Sequence, residues 1–308
     1  MTVDNDAVEK LIANAHEETG FLLYGWKFEK LPDSLGRLIK LQDLYIIDCD
    51  QLTDVSTLRG MTDLRQLYFS GCSKLADISA LGNLKNLWGL VLDGCGQLTD
   101  VSVLEDLAGL KGLVLSGCGN LADMQVLGSL PGLWKLDLTQ CGQLTDVSWL
   151  SGMTGLGELN LSECAQLTDV SCLSGLTGLQ SLNLNNCDQL TDVSVLGGLS
   201  GLQELYLGWC DQLVDVSFLS GFKSLQKLDL SEYSYLKNSN LFDSIDGLRE
   251  LKLSSCDQLT DVNMLRRLTA LQALDLSGCD QMVDVSGLDS LTIRTYASWI
   301  QLAQSLDF

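Results

Sequence analysis

Residues 156–178 read LGELNLSECAQLTDVSCLSGLTG, and residues 179–201 read LQSLNLNNCDQLTDVSVLGGLSG. The same 23-residue unit begins at Leu41, Leu64, Leu87, Leu110, Leu133, Leu156, Leu179, Leu202, Leu225, Leu248 and Leu271. A divergent unit precedes them near residue 18, with Phe21 and Leu23 on its strand and LPDSLGRL on its return. A repeat of this length marks a solenoid, because one unit cannot bury its apolar face except against its neighbours. Numbering each unit from its first leucine, places 1, 4 and 6 are leucine, as in Leu87, Leu90 and Leu92. The alternation around places 4 and 6 predicts a short strand with one buried face. Apolar residues at places 15, 18 and 21 recur every three residues, which predicts a 3-10 or extended return rather than a long helix.

The LxxLxL pattern followed by Cys and Leu resembles a leucine-rich repeat. The second half, TDVSxLxxLxxL, is similar to the short bacterial repeat of internalin-like proteins, and the resemblance covers roughly residues 18–293. It implies an α/β fold: a single right-handed horseshoe solenoid, with a parallel β-sheet on the concave face and 3-10 or extended turns on the convex face. One departure is systematic. The asparagine the family carries at place 9 is cysteine here, at Cys49, Cys72, Cys95, Cys118, Cys141, Cys164, Cys187, Cys210, Cys256 and Cys279. Terminal units need caps to cover core leucines. Residues 1–17 are expected to form an N-terminal cap helix with Val8, Leu11, Ile12 and Ala15 on one face. About twelve units would then fill residues 18–293, and a C-terminal cap with Tyr296, Trp299, Ile300, Leu302 and Ala303 would fill 294–308.

Forty acidic residues against 19 basic ones give a formal charge of −21. Such a chain repels DNA, RNA and anionic lipid, and favours a monomer. No Lys or Arg occurs between Lys135 and Lys223, a stretch that holds ten acids from Asp137 to Asp215, so a basic partner is favoured. No apolar run is long enough to span a membrane. The start, MTVDNDAVEK, shows no secretory signal, which with the cysteines points to a reducing cytoplasm; secretion stays open if a signal peptide has been removed.

A column of ten cysteines at one place is expected to be buried thiols whose S–H groups serve the turn, not disulfides or metal ligands. The Asp column at place 14, from Asp54 to Asp284, offers a calcium ladder or a set of caps that accept backbone N–H bonds, and capping is favoured. No nucleophile elbow or phosphate loop is present, and the one histidine, His16, lies in the cap helix. The expectation is a protein that is not an enzyme and needs no cofactor, metal or catalytic residue.

Binding rests on the non-repeated places. Places 3, 5 and 7 alternate with the buried leucines and face outward. Place 5 runs from apolar residues (Leu22, Tyr45, Tyr68, Val91, Val114) to mostly polar ones (Asp137, Asn160, Asn183, Tyr206). With Ile47, Trp88, Trp134, Glu158, Glu204 and Trp209, these residues from Tyr45 onward form the candidate ligand-binding set for a protein partner with a basic or mixed apolar and basic surface. The alternative is that the aromatics only stack along the sheet and cover it. The chain would then be a structural or self-assembly module. A third reading is the recognition part of a larger signalling protein or enzyme. The unit from Leu225 breaks the pattern, with Tyr233, Asn238 and Ser239 replacing Cys, Asp and Val; a local bulge that exposes Tyr233 and Tyr235, plain drift, and a change in solenoid curvature are equal readings of it.

Overall fold

The computed structural model describes residues 5–233, 241–242, 244–260 and 262–281. The chain forms two compact units, Met1–Leu144 and Thr145–Phe308. In the first unit, helix α1 (Asn5–Asn14) precedes strands β1 (Gly20–Tyr24), β2 (Asp43–Ile47), β3 (Gln66–Ser70), β4 (Gly89–Asp93), β5 (Gly112–Val114) and β6 (Lys135–Asp137). The second unit holds β7 (Glu158–Asn160), β8 (Ser181–Asn183), β9 (Glu204–Tyr206), β10 (Lys227–Asp229), β11 (Glu250–Lys252) and β12 (Ala273–Asp275). Within each unit every strand pairs in parallel with the next in sequence, and residues one repeat apart stand opposite, as Leu44 does to Leu67 and Leu182 to Leu205. Both units are therefore stretches of the expected solenoid.

The strands follow the alternation. Leu44 and Ile46 are buried while Asp43, Tyr45 and Ile47 face out, and the pattern repeats in β3 and β4. The returns are 3-10 helices, for example Ser102–Asp106 and Ser194–Gly198. They explain the spacing of three: Leu104 N–H bonds Val101 C=O, Leu107 bonds Leu104, and Leu110 bonds Leu107, at 2.9–3.0 Å. Each bond fixes the next buried side chain on the same face. The place-14 aspartate opens the return. Oδ1 of Asp54, Asp100 and Asp192 accepts the N–H of the serine two residues on at 2.8 Å. The valine just before each helix offers no side-chain cap, so the aspartate one residue earlier does that work.

The ten column cysteines are buried, free thiols, and Cys172 is a half-buried free thiol. Most column thiols donate to the place-6 carbonyl of the preceding repeat, as Cys187 does to Leu161 at 3.2 Å and Cys210 to Leu184 at 3.1 Å. Burial pushes Cys72, Cys118 and Cys256 up to about 12, so these thiols stay protonated near neutral pH.

Three expectations need correction. In α1, Val8 and Ile12 are buried with Ala15 just beyond it, but Leu11 is exposed, because the helix packs on the return Asp33–Arg37 by a narrow stripe. The helix also ends at Asn14 rather than at residue 17. Tyr233 is buried rather than bulged outward: it occupies the cysteine place, which points inward whatever residue fills it. Tyr235, Asn238, Ser239 and the proposed cap at 294–308 lie outside the described residues.

Candidate protein-binding face

In the first unit the place-5 side chains form one row, because the register sets Leu22 opposite Tyr45, Tyr45 opposite Tyr68, Tyr68 opposite Val91 and Val91 opposite Val114. The rings of Tyr45 and Tyr68 stack at 4.6 Å between centroids and 18° between planes. Tyr68 donates its hydroxyl to Gln66 Oε1 at 2.7 Å, and burial pushes its phenol above the ordinary value. Ile47 stands in the place-7 row, between Tyr24 and Ser70. Leu22 and Tyr24 are 55% and 65% exposed. They extend the apolar face by one rung beyond the set drawn from the sequence. The sequence already sets Leu22 at the head of the place-5 row, and FLLY puts Tyr24 at place 7 of the same divergent repeat. The row turns polar at Asp137, whose Oδ1 accepts both N–H and hydroxyl of Thr139.

Trp88 and Trp134 are exposed but belong to a different row. Both sit at place 2, one residue before β4 and β6, and so outside the strands that carry Tyr45 and Tyr68.

The second unit presents another kind of surface. Asn160 and Asn183 each turn Oδ1 back onto an N–H two residues on, at 3.0 Å. Glu158 and Glu204 stand at place 3 of their strands. Glu204 bonds Lys227 Nζ at 2.9 Å and accepts the hydroxyls of Tyr206 and Ser181 at 3.2 and 3.3 Å. Burial would raise the Glu204 carboxyl, but the Lys227 ammonium and these hydrogen bonds outweigh it and hold the carboxyl low. Burial and the Glu204 charge push Tyr206 up to about 12. Asp229, expected to point outward from place 5, is only 2% exposed. It accepts Ser231 N–H and hydroxyl and pairs with Lys252, and the missing side chain of Gly208 gives it room.

Trp209 is not on the strand. It occupies place 8, where the chain turns out of the sheet with positive φ: Gly25, Asp48, Gly71, Gly94, Gly117, Gln140, Glu163, Asn186, Trp209, Glu232, Ser255 and Gly278 share that conformation. A tryptophan held at φ 57° carries strain of about 1 kcal/mol. The sequence hinted at this turn only through its five glycines.

The carboxyls with resolved shifts are held low, the thiols are raised by burial, and His16 is exposed. Among the described residues no helix is long and apolar enough to cross a membrane, and no three His, Cys, Asp or Glu side chains cluster as metal ligands.

Comparison with known proteins agrees on the fold. An internalin from Listeria monocytogenes (inlF) superposes with a TM-score of 0.71 at 23% identity, covering 94% of this chain and 93% of that one. A second Listeria internalin (inlC2) gives 0.50 at 24% identity over 74% of this chain and 94% of that one. A leucine-rich-repeat protein from Leptospira interrogans gives 0.54 at 15% identity over 97% and 96%. No curated protein matches the chain in sequence. The profile of the BspA type leucine rich repeat region matches in six copies, over residues 37–135, 91–210, 137–260 and 207–298. With its cysteine column, graded strands and 3-10 returns, the chain belongs to the family of BspA type leucine rich repeat regions.

Proposed function

We propose that the protein is a non-catalytic binding scaffold that holds a protein partner on the outward face of β1–β5. Leucine-rich-repeat folds are in general protein-interaction scaffolds. The observation that carries the reading is the unbroken apolar row Leu22, Tyr45, Tyr68, Val91 and Val114, flanked by Tyr24 and Ile47. Exposed tyrosines beside aliphatic residues are the usual anchors of an interface. The charge of −21 supports a partner whose surface mixes apolar and basic groups, with acids from Asp137 to Asp215 steering its approach. The buried thiols fit a reducing compartment such as the cytoplasm.

Affinity capture followed by cross-linking tests the reading. The wild-type chain should retain a partner that Tyr45→Ala and Tyr68→Ala lose, with all three chains folded by circular dichroism. Equal recovery by all three would remove the site. A self-assembly module would show instead as a mass that climbs with concentration in light scattering and falls in the same two variants.

A further inference from the structure

After Thr19 and Gln42, place 2 of the first unit reads Arg65, Trp88, Lys111 and Trp134. These four residues are consecutive rungs of one ladder. Trp88 N–H bonds Arg65 C=O at 2.9 Å, Lys111 bonds Trp88 at 2.8 Å, and Trp134 bonds Lys111 at 2.9 Å. Neighbouring rungs therefore stand ~4.8 Å apart, and the two tryptophans roughly 10 Å apart. All four side chains are exposed. Arg65 and Lys111 form no ion pair among the described residues, although the chain carries 40 acids. The Lys111 ammonium lies over Gly132, where a Cβ would stand 2.6 Å from its Nζ. Beside the row, Gly89 and Gly112 begin β4 and β5, and a Cβ at Gly112 would meet nothing within 4 Å. The result is an exposed strip alternating cation and indole, next to an open glycine floor.

We propose that this strip binds an extended acidic polysaccharide in which neutral sugars alternate with uronates. An extended β-linked glycan advances by close to one strand spacing per ring. One ring can then lie against Trp88, the carboxylate of the next can meet Lys111, and a third ring can lie against Trp134. The apolar C–H face of a pyranose covers an indole well, and Arg65 takes the carboxylate on the other side of Trp88. Only the two local cations, Arg65 and Lys111, favour an acidic occupant, and the chain's net charge of −21 restricts it to one of low charge density. The strip offers one cation per two rungs, roughly 10 Å, whereas a nucleic-acid strand carries a phosphate about every 3.4 Å and would meet the net negative charge far more often. An acidic peptide strand repeats its same-face side chains every two residues, roughly 6.8 Å, and falls out of step with the tryptophans. The site uses neither the Tyr45–Tyr68 row nor a protein partner, so it stands or falls separately from the binding face proposed above.

The test is calorimetric titration of the full chain with a hyaluronan hexasaccharide, which alternates glucuronate with a neutral amino sugar. Cellohexaose, oligo-dT and a glutamate hexapeptide serve as comparisons. Saturable binding at millimolar or lower concentration is expected for the hyaluronan fragment, weakened by added salt. Trp88→Ala and Trp134→Ala should each weaken it about tenfold, Lys111→Ala should weaken it and flatten the salt dependence, and Tyr68→Ala should leave it unchanged. Trp88→Phe, which keeps an aromatic face, should retain part of the affinity. Absence of hyaluronan binding, equal binding of cellohexaose, or tighter binding of oligo-dT or the peptide would each overturn the proposal.

Discussion

The first four strands and the strands of the second unit are built from the same repeat, yet they end differently. In β1–β4 the pairing runs through place 7, so Tyr24 stands opposite Ile47, Ile47 opposite Ser70, and Ser70 opposite Asp93. In β7–β12 each strand stops at place 5. In the Asx repeats one side chain contributes to the difference. Where place 5 is Asn183, Asp229 or Asp275, its Oδ1 captures the place-7 N–H of its own repeat at 2.9–3.0 Å. That N–H no longer reaches the place-6 carbonyl of the preceding strand, and the cysteine thiol takes the vacant acceptor. The thiol distances are 3.9 and 3.6 Å for Cys49 and Cys72 and 3.0–3.2 Å for Cys187, Cys210 and Cys279, but they are also short for Cys118 (3.1 Å) beside Val114 and Cys256 (3.4 Å) beside Lys252, so place 5 is not their sole determinant. Tyr206 has no acceptor to offer, so Asn185 of the preceding rung bonds Gly208 N–H at 2.8 Å in its stead. An Asx residue at place 5 thus bonds the place-7 N–H of its own repeat, whereas β1–β4 keep the ladder through place 7; β5, with Val114 at place 5, and β11, with Lys252, are short without an Asx residue.

The cysteine column is common to both regions, and alkaline pH should break both together with the largest effect. Burial raises the folded thiols above the ordinary value of 9.0, to about 12 for Cys72, Cys118 and Cys256 and about 11 for Cys210. Below pH 9 both states keep the thiol protons. Above it the unfolded chain loses protons that the folded chain retains, so stability falls by up to about 1.4 kcal/mol per pH unit for each thiol. Urea midpoints measured from neutral pH to about pH 10.5 should drop steeply past pH 9, and a flat profile would contradict the burial of the column.

The next effect should separate the regions. Asp229→Ala in β10 leaves Ser231 N–H unpaired under cover and Lys252 without its carboxylate, a loss of about 2 kcal/mol. Tyr68→Ala on the apolar face of β3 removes a stacked partner that is open to water, about 1 kcal/mol. Chemical denaturation of the two variants should preserve that order. Smaller again is the contrast within the column. Cys187→Ala removes a thiol at 3.2 Å from its acceptor and Cys49→Ala one at 3.9 Å, so the first should cost more by about 0.5 kcal/mol. Equal losses would mean that the thiol bond contributes nothing beyond packing.

What was legible in the sequence is what each repeat decides for itself. The buried leucines, the 3-10 return, the thiol column and the Asp cap depend on atoms within a repeat or on identical neighbours. Strand length was not legible, because it turns on whether the place-5 side chain or the neighbouring carbonyl captures one N–H. Asp229 shows the limit most directly. Its place predicts exposure, but its burial depends on Gly208 on the rung before it and Lys252 on the rung after it. The rows proposed for binding were legible only in part for the same reason. Tyr45 and Tyr68 stand out as residue types, whereas Arg65 and Lys111 gain meaning only when the ladder sets them between and beside the two tryptophans.

The returns, unlike the strands, are built alike in both regions, and the smallest effect should therefore be equal across them. Ser79 N–H bonds Asp77 Oδ1 and Ser194 N–H bonds Asp192 Oδ1, both at 2.8 Å, and these bonds hold both carboxyls below their ordinary value of 3.8. A lowered folded value means that the stabilisation is complete above about pH 4 and is lost as pH falls through the folded value. Asp77→Ala should cost roughly 0.5 kcal/mol at neutral pH, at the low end for an exposed cap, and the penalty should vanish in acid where wild type has lost the same bond. Asp192→Ala should shift the urea midpoint by the same amount with the same pH dependence. A larger shift in one than in the other would show that the two regions differ in their returns as well as in their strands.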